Sequence, residues 1–266
     1  ARALAEVDKM ERAREVATTA EKTARTIPKP HMRAAALNGL AKLLVEFGDI
    51  ERARQVATTA ERTARAIPNS HEQATELSSL VQVLAQVGEA DRAEDVARSI
   101  THPHEQAQAL SSLARALADA GEMERAENIA LSISHPPGQV SALSSLARVL
   151  AESGKVERVC KVAATAERTA RTIPNPHTRA AALSGLIRVL AQVGEVKRAE
   201  DIARSIQHPP AQALALASII EELDPKKSRR LLAAALIDSQ PAELLNVIAR
   251  VTPDAVINTV QYVNVP

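Results

Sequence analysis

The sequence predicts an all-α fold in which tandem antiparallel helix pairs stack side by side into a solenoid. Composition is the first reason: strong helix formers dominate, and only 8 glycines and 1% aromatic residues occur among 266 residues. The second reason is a pattern of leucines, arginines and small residues that recurs at fixed offsets along most of the chain. Such self-similarity is typical of repeat proteins, in which each repeat buries its apolar face against the next.

Five glycines mark the repeat. They lie 40, 33, 33 and 40 residues apart, at Gly48, Gly88, Gly121, Gly154 and Gly194. Asp8 precedes the first glycine by 40 residues, so six repeats begin near residues 8, 48, 88, 121, 154 and 194. An arginine and then a small apolar residue follow each start at the same distance; the arginines are Arg12, Arg52, Arg92, Arg125, Arg158 and Arg198.

The repeat predicts two helices, A and B. Helix A carries leucines at i, i+3 and i+7, such as Leu37, Leu40 and Leu44, which define one face of an α-helix. It opens with proline or follows an asparagine, Asn69 or Asn175, that is suited to cap its first N–H groups. The repeat glycine ends helix A because a left-handed backbone costs glycine little, and helix B follows at once. Connections this short predict antiparallel pairs.

The repeats have two lengths. The 40-residue repeats contain seven more residues than the 33-residue repeats, inserted within helix B. Seven residues make two helical turns, which return the buried face to within about 20° of its direction. The long B helices should therefore project about 10 Å further than the short ones. We expect the tip at residues 165–172, with small residues at Ala166 and Ala170, to contact another part of a larger protein or a second copy.

The pattern resembles a known repeat family. With the glycine at position 15 of a 34-residue template, the small residue falls at position 20 and the leucines at positions 4, 7 and 11, which resembles the tetratricopeptide (TPR) repeat over about residues 1–240. Leu, Leu and Ala replace the aromatic residues usual at positions 4, 11 and 24. The resemblance implies a right-handed superhelix whose concave groove is lined by the A helices. Ala- and Arg-rich repeats of this kind also resemble sensor arms of bacterial STAND-type signalling ATPases.

The pattern divides the chain into two regions. Residues 1–224 hold the tandem TPR-like repeats, and residues 225–266 are predicted to form a degenerate last repeat and a helical cap. A solenoid needs such an atypical end to cover its last apolar face. The chain opens inside an apolar helical pattern, at Ala1, Leu4 and Ala5, so we interpret it as part of a larger polypeptide.

Charge and composition argue against several partners. The net charge of +1 and the scarcity of aromatic side chains disfavour nucleic-acid binding, which relies on basic surfaces and stacking. Repeats that read one base each would also need a uniform length. No apolar run is long enough to span a membrane. The single cysteine, Cys160, cannot form an intrachain disulfide, which fits a cytoplasmic location. We expect no nucleic acid and no membrane partner.

Reactive chemistry is not indicated. No catalytic motif occurs, so we expect no enzyme activity and no cofactor. The seven histidines lie where helix B leads into helix A; equivalent positions in stacked helices are about 10 Å apart, whereas metal ligands lie about 2 Å from the ion. We expect no metal site. Glutamate–arginine pairs of residues such as Glu61–Arg62 and Glu167–Arg168 are interpreted as solvated helix faces.

Two columns on helix A form the candidate binding site for a protein or peptide. Position 9 carries mostly cations, and position 5 carries small polar residues that leave room for a peptide backbone. Arginine binds carboxylates in a bidentate manner, so the site suits an acidic peptide or a carboxylate terminus. The other interpretation is that these arginines pair with Glu46, Asp119 and Glu152 and bind no ligand. The site residues are Asn38, Ser78, Ser111, Ser144 and Ser184 at position 5, and Lys42, Gln82, Arg115, Arg148 and Arg188 at position 9.

The favoured function is a non-catalytic protein-interaction scaffold or sensor module that captures a protein or peptide along the groove of the A helices. The alternative is a small-molecule-sensing regulatory arm of a multidomain signalling ATPase. A small-molecule site requires an enclosed apolar pocket with few polar groups. The sequence instead predicts cations repeated along an open face, which favours the scaffold.

Overall fold

The computed structural model describes residues 15–206, 211–212, 215–216 and 218–219, which are helical except for short turns and contain no β-strand. The prediction of an all-α fold is confirmed for these residues. The predicted cap at 225–266 and the first repeat start near residue 8 lie outside them. The helices are α1 (15–26), α2 (Pro30–Glu46), α3 (Ile50–Arg65), α4 (Ser70–Gln86), α5 (Ala90–Ser99), α6 (Pro103–Asp119), α7 (Met123–Ser132), α8 (Pro136–Glu152), α9 (Val156–Ala170), α10 (Pro176–Gln192) and α11 (Val196–Arg204).

Even-numbered helices are the A helices of the repeats, and odd-numbered helices are the B helices. Each A helix from α2 to α10 has 17 residues. Both predicted caps are confirmed: Asn69 Oδ1 accepts the backbone N–H groups of His71 and Glu72 at 3.0 Å, and Asn175 Oδ1 accepts that of Thr178 at 3.0 Å. Since the first turn of a helix leaves its N–H groups unpaired, these side chains fix where α4 and α10 begin.

The five repeat glycines end the A helices as predicted. All have a left-handed φ, between 69° and 88°. In each turn the backbone N–H that follows the glycine donates to the carbonyl oxygen of the last leucine of the stripe, for example Asp49 to Leu44 at 2.9 Å and Glu195 to Leu190 at 2.8 Å. This bond belongs to the Schellman type of helix ending. The turn therefore holds the start of helix B at a constant offset from the leucines.

A glutamine in the first turn of some A helices holds the end of the preceding B helix. Gln73 Nε2 in α4 donates to the carbonyl oxygens of Arg65 and Ile67, at 2.9 and 3.2 Å. Gln106 in α6 makes the same two bonds to the end of α5. Carbonyl groups at a helix end lack partners within the helix, so this side chain satisfies them and joins consecutive helices.

The chain divides into an N-terminal unit, Ala1–His135, and a C-terminal unit, Pro136–Pro266. In the N-terminal unit α2 packs against α3 and α4, and α4 in turn packs against α5 and α6; α6 also contacts α7. In the C-terminal unit α8 packs against α9 and α10, and α10 also contacts α9 and α11. The A helices are thus neighbours within each unit.

The predicted leucine stripes form the core of both units. Their members are all buried: Leu37, Leu40, Leu44, Leu77, Leu80, Leu84, Leu110, Leu113, Leu117, Leu143, Leu146, Leu150, Leu183, Leu186 and Leu190. Complete burial of one leucine side chain stabilises the fold by roughly 1.5–3 kcal/mol. The small residues of the B helices, such as Ala53 and Ala93, are buried against them and let the helices approach closely.

The B helices have two lengths, as predicted. Helices α3 and α9 contain 16 and 15 residues, whereas α5 and α7 contain 10 each. The added turns of α9 do not leave an apolar face for a partner, because Ala166 and Ala170 are 0% and 1% exposed. Thr169 Oγ1 also donates to Gln139 Oε1 of α8 at 2.9 Å. Ala166 and Ala170 therefore pack within their own unit and do not form the expected contact surface, while the contact of the tip at residues 165–172 with another part of a larger protein or a second copy stays a prediction.

Two glycines of contrasting geometry test the role of the repeat turn. Gly121 has a φ of +88°, whereas Gly39 lies inside α2, and a Cβ added there would meet no atom within 4 Å. We expect Gly121→Ala to lower the free energy of unfolding by about 1 kcal/mol, because a left-handed backbone strains alanine. Gly39→Ala should raise it by about 0.5–1 kcal/mol, because alanine favours a helix. Urea unfolding followed by circular dichroism measures both; a gain from Gly121→Ala would contradict the assigned turn.

Candidate partner-binding surface

The cations of position 9 lie on the solvent-exposed side of the A helices, which we call their outer face. Arg115 in the N-terminal unit and Arg148 and Arg188 in the C-terminal unit are exposed, while Lys42 and Gln82 are half-buried. Among the residues that the structure describes, the three arginines and Lys42 have no hydrogen bond or ion pair. The interpretation that neighbouring carboxylates neutralise these arginines is therefore not supported there. Their charge is available to a partner.

The small polar residues of position 5 lie deeper than the sequence predicts. Asn38, Ser78 and Ser144 are buried, at 3%, 8% and 7% exposure, and Ser111 and Ser184 are half-buried. Asn38 Nδ2 of α2 donates to the backbone oxygen and to Oε2 of Glu76 in α4, both at 3.0 Å. The Ser144 hydroxyl donates to a carbonyl oxygen of its own helix. The buried members of this column contribute to packing between A helices, not to an open surface.

The following position carries the small residues that accompany the cations. Gly39, Ser79, Ser112, Ser145 and Gly185 occupy it, each three residues before a position-9 side chain. The two glycines are exposed and the three serines half-buried. Successive side chains of a helix point about 100° apart, so the residues at position 5 and at this next position, position 6, face different directions. Position 6 is the more exposed of the two in α2, α4, α8 and α10, which the size of the residues does not predict.

The repeated arginine of helix B has a different environment. In the N-terminal unit it contacts a glutamate of the preceding B helix: Arg52 with Glu21 at 3.4 Å, Arg92 with Glu61 at 2.6 Å and Arg125 with Glu94 at 3.2 Å. In the C-terminal unit Arg198 contacts Glu167 at 3.7 Å. Each glutamate lies 31 residues before its arginine, so the bond links consecutive repeats.

These glutamates are not simply solvated, which corrects the interpretation of Glu61 and Glu167. The side chain of Glu61 is 15% exposed and also pairs with Arg65 one turn later, at 3.0 Å. Burial alone raises the pKa of Glu61, but the hydrogen bonds and charges of Arg92 and Arg65 outweigh it and leave the pKa below its ordinary value. The same balance, with Arg98 and Arg125, lowers the pKa of Glu94.

The histidines at the starts of the A helices pair with carboxylates of the next A helix. His31 Nδ1 of α2 lies 3.3 Å from Glu72 Oε2, and His71 Nδ1 of α4 lies 3.2 Å from Glu105 Oε1. No group of three His, Cys, Asp or Glu side chains in the described part of the chain is arranged to hold a metal ion. These histidines link neighbouring helices at one edge of the N-terminal unit.

The length and hydropathy of the described helices show whether any of them could cross a membrane. None of them combines the length and the apolar character that crossing a bilayer requires.

The chain has distant structural similarity to a solved protein. No protein-family model matches it, and no curated protein matches its sequence significantly. It is similar to the crystal structure of Ton1535 from Thermococcus onnurineus NA1, with 14% sequence identity and a TM-score of 0.34 over 91% of this chain and 85% of that chain. A TM-score this low carries no argument, so the chemistry of this chain's own residues must indicate what it does.

Two arginines of the N-terminal unit, one ion-paired and one without a partner among the described residues, should differ in their effect on stability. We expect Arg92→Ala to lower the free energy of unfolding at pH 7 by about 1–2 kcal/mol, because it removes charge-assisted bonds to the largely buried Glu61. Arg115→Ala, which removes no bond within the described residues, should change it by less than about 0.5 kcal/mol. Urea unfolding of both variants measures the difference.

The loss in Arg92→Ala should also depend on pH. The folded-state pKa of Glu61 lies below its ordinary value of 4.5, so the stabilisation is complete above that value and disappears as the pH falls through the folded pKa. Equal stability losses in the two variants at pH 7, or a loss in Arg92→Ala that stays unchanged when Glu61 is protonated at low pH, would contradict the assignment.

Proposed function

We propose that this chain is a non-catalytic interaction module that binds an acidic protein segment or peptide on the outer face of its A helices. The observation that carries the proposal is the recurring column of Arg115, Arg148 and Arg188, which are exposed and make no bond to the described residues. Desolvation and side-chain ordering oppose any ion pair, but a bidentate arginine–carboxylate bond is among the stronger polar contacts in proteins.

The geometry of stacked helices suits an extended segment. Packed helices lie about 8–10 Å apart, and an extended chain advances about 3.3 Å per residue. A bound segment that crosses neighbouring A helices therefore meets the next helix about every third residue. Acidic side chains at that spacing would reach successive cations of one unit, such as Arg148 in α8 and Arg188 in α10. The exposed Gly185 and half-buried Ser145 leave room for the backbone of the segment.

Within each unit, we propose that the helices form antiparallel pairs of a right-handed, TPR-like solenoid. Only three residues separate each A helix from the B helix that follows, which favours a reversal of chain direction. The contacts between consecutive A helices support side-by-side stacking. Such a module commonly serves as the recognition part of a larger protein, and we propose the same role here, in the cytoplasm.

A small-molecule-sensing arm is the less favoured alternative. An enclosed apolar pocket would support it. The cations that suggest binding stand instead on an open helix face, where a small molecule would keep much of its surface in water. An extended partner can use several of these cations at once, which favours a peptide or protein.

Matched triple variants test the acidic-segment proposal. The probe is a fluorescein-labelled peptide of about twelve residues with glutamate at every third position, and fluorescence anisotropy measures its affinity. We expect Arg115→Ala, Arg148→Ala and Arg188→Ala together to weaken binding at least about tenfold, because each charge-assisted contact contributes of the order of 1 kcal/mol.

The control removes the same charge from the B helices. Arg62→Ala, Arg168→Ala and Lys197→Ala replace three exposed cations and should leave the affinity within about twofold of the unchanged protein. Equal weakening by both triple variants would reduce the interaction to overall charge and contradict the proposal. Absence of any saturable binding would also overturn it.

A further inference from the structure

Two columns of side chains run side by side across the outer face of the N-terminal unit. The cations occupy position 9, and acids occupy position 13, one helical turn later. Four residues advance a helix by about 6 Å, so the two columns are close neighbours. In α4 both positions hold an uncharged amide. The side chains at positions 9 and 13 are Lys42 and Glu46 in α2, Gln82 and Gln86 in α4, and Arg115 and Asp119 in α6.

The opposite charges of one A helix do not neutralise each other. Like the cations, Glu46 and Asp119 make no hydrogen bond or ion pair with the residues that the structure describes. An i,i+4 ion pair in an α-helix is stronger when the acid comes first. The B helices form ion pairs in that order, such as Glu61 with Arg65 at 3.0 Å. On the A helices the cation comes first, so charges of both signs are available to a partner.

These positions are open even where an A helix has neighbours on both sides. Helix α4 contacts α2 and α6, yet Gln86 is exposed and Gln82 half-buried. The charged members of the two columns are also exposed, except for the half-buried Lys42. A neighbouring A helix therefore does not cover the outer face, and its exposure does not depend on where the described stack begins.

We propose that the outer face of the N-terminal unit pairs with the same face of a second copy of this chain. A twofold axis in the plane of the face, across the helices and midway between positions 9 and 13, places position 9 of each helix opposite position 13 of the same helix in the other copy. Arg115 then meets Asp119 of the second copy, Lys42 meets Glu46, and the amides of α4 donate to and accept from each other. An axis parallel to the helices would instead bring like charges together.

Charge complementarity is the reason for a second copy as the partner. Each A helix of the N-terminal unit carries either opposite charges or two amides, so all three helices match themselves. In the C-terminal unit α10 carries Arg188 and the uncharged Gln192, and lacks this match. The small Gly39, Ser79 and Ser112 beside position 9 allow a second helix to approach.

The size of the face is sufficient for a weak dimer. Three helices of 17 residues, packed about 9 Å apart, present a face of roughly 25 by 27 Å. This area of about 700 Å² is close to the roughly 800 Å² that each partner buries in a standard interface. The pairing does not depend on the acidic segment of the proposed function, which would compete with it for Arg115.

Charge reversal in α6 tests the pairing by sedimentation equilibrium of the full chain. In about 50 mM NaCl we expect a reversible dimer, which high salt weakens because its ion pairs lie near solvent. Arg115→Glu makes both positions of α6 acidic, and Asp119→Lys makes both basic, so each variant alone should dimerise at least about tenfold more weakly. An equimolar mixture of the two variants should recover the association, since every contact of α6 in the mixed dimer is again attractive.

The controls reverse exposed charges on the B helices. Arg62→Glu in α3 and Glu124→Lys in α7 should leave the association within about twofold of the unchanged protein. Circular dichroism checks that each variant keeps its helices. A chain that stays monomeric at about 0.5 mM, reversals in α6 that have no effect, or a mixture that does not associate would refute the pairing. Binding of the acidic peptide is measured separately, so the two proposals can fail independently.

Discussion

The burial of one leucine stripe per A helix is the constraint on which the rest of the structure depends. A helix with leucines on a single face needs neighbours to cover that face, and the contacts of α4 with α2 and α6, and of α8 with α10, provide them. The glycine turns then hold each B helix in a constant phase by bonding to the last leucine of the stripe, such as Leu44. Added turns in a B helix are tolerated because seven residues make two helical turns and keep the buried face in nearly the same direction.

The two kinds of helix carry arginine for different purposes. On the B helices Arg52, Arg92 and Arg125 are bound to glutamates of the preceding repeat, so their charge holds neighbouring repeats together. On the A helices Arg115 and Arg148 are exposed and have no partner among the described residues. The first set joins consecutive repeats. The second set makes no polar bond within the described residues, which is why we connect it with binding.

The periodicity of the sequence was sufficient to predict the helices and turns, but not to predict which side of each helix is exposed. Glycine turns, leucine stripes and the Asn69 and Asn175 caps follow from local rules, and the structure has all of them. The outward small column was missed because adjacent serines are chemically alike, so only packing distinguishes them. The partner of Arg92 was missed because Glu61 lies 31 residues earlier, beyond any local pattern. The burial of Ala166 within its own unit could not be predicted from its local sequence.

Removal of one whole repeat tests most directly whether repeat stacking determines the fold. Deleting residues 88–120 takes out α5 and α6 and joins α4 to the next glycine turn. We expect the shortened chain to keep its helicity per residue by circular dichroism and to unfold cooperatively in urea with a smaller slope, because less surface is exposed. Deleting 88–107, which breaks the phase, should abolish cooperative unfolding. Loss of helicity after the whole-repeat deletion would contradict the account.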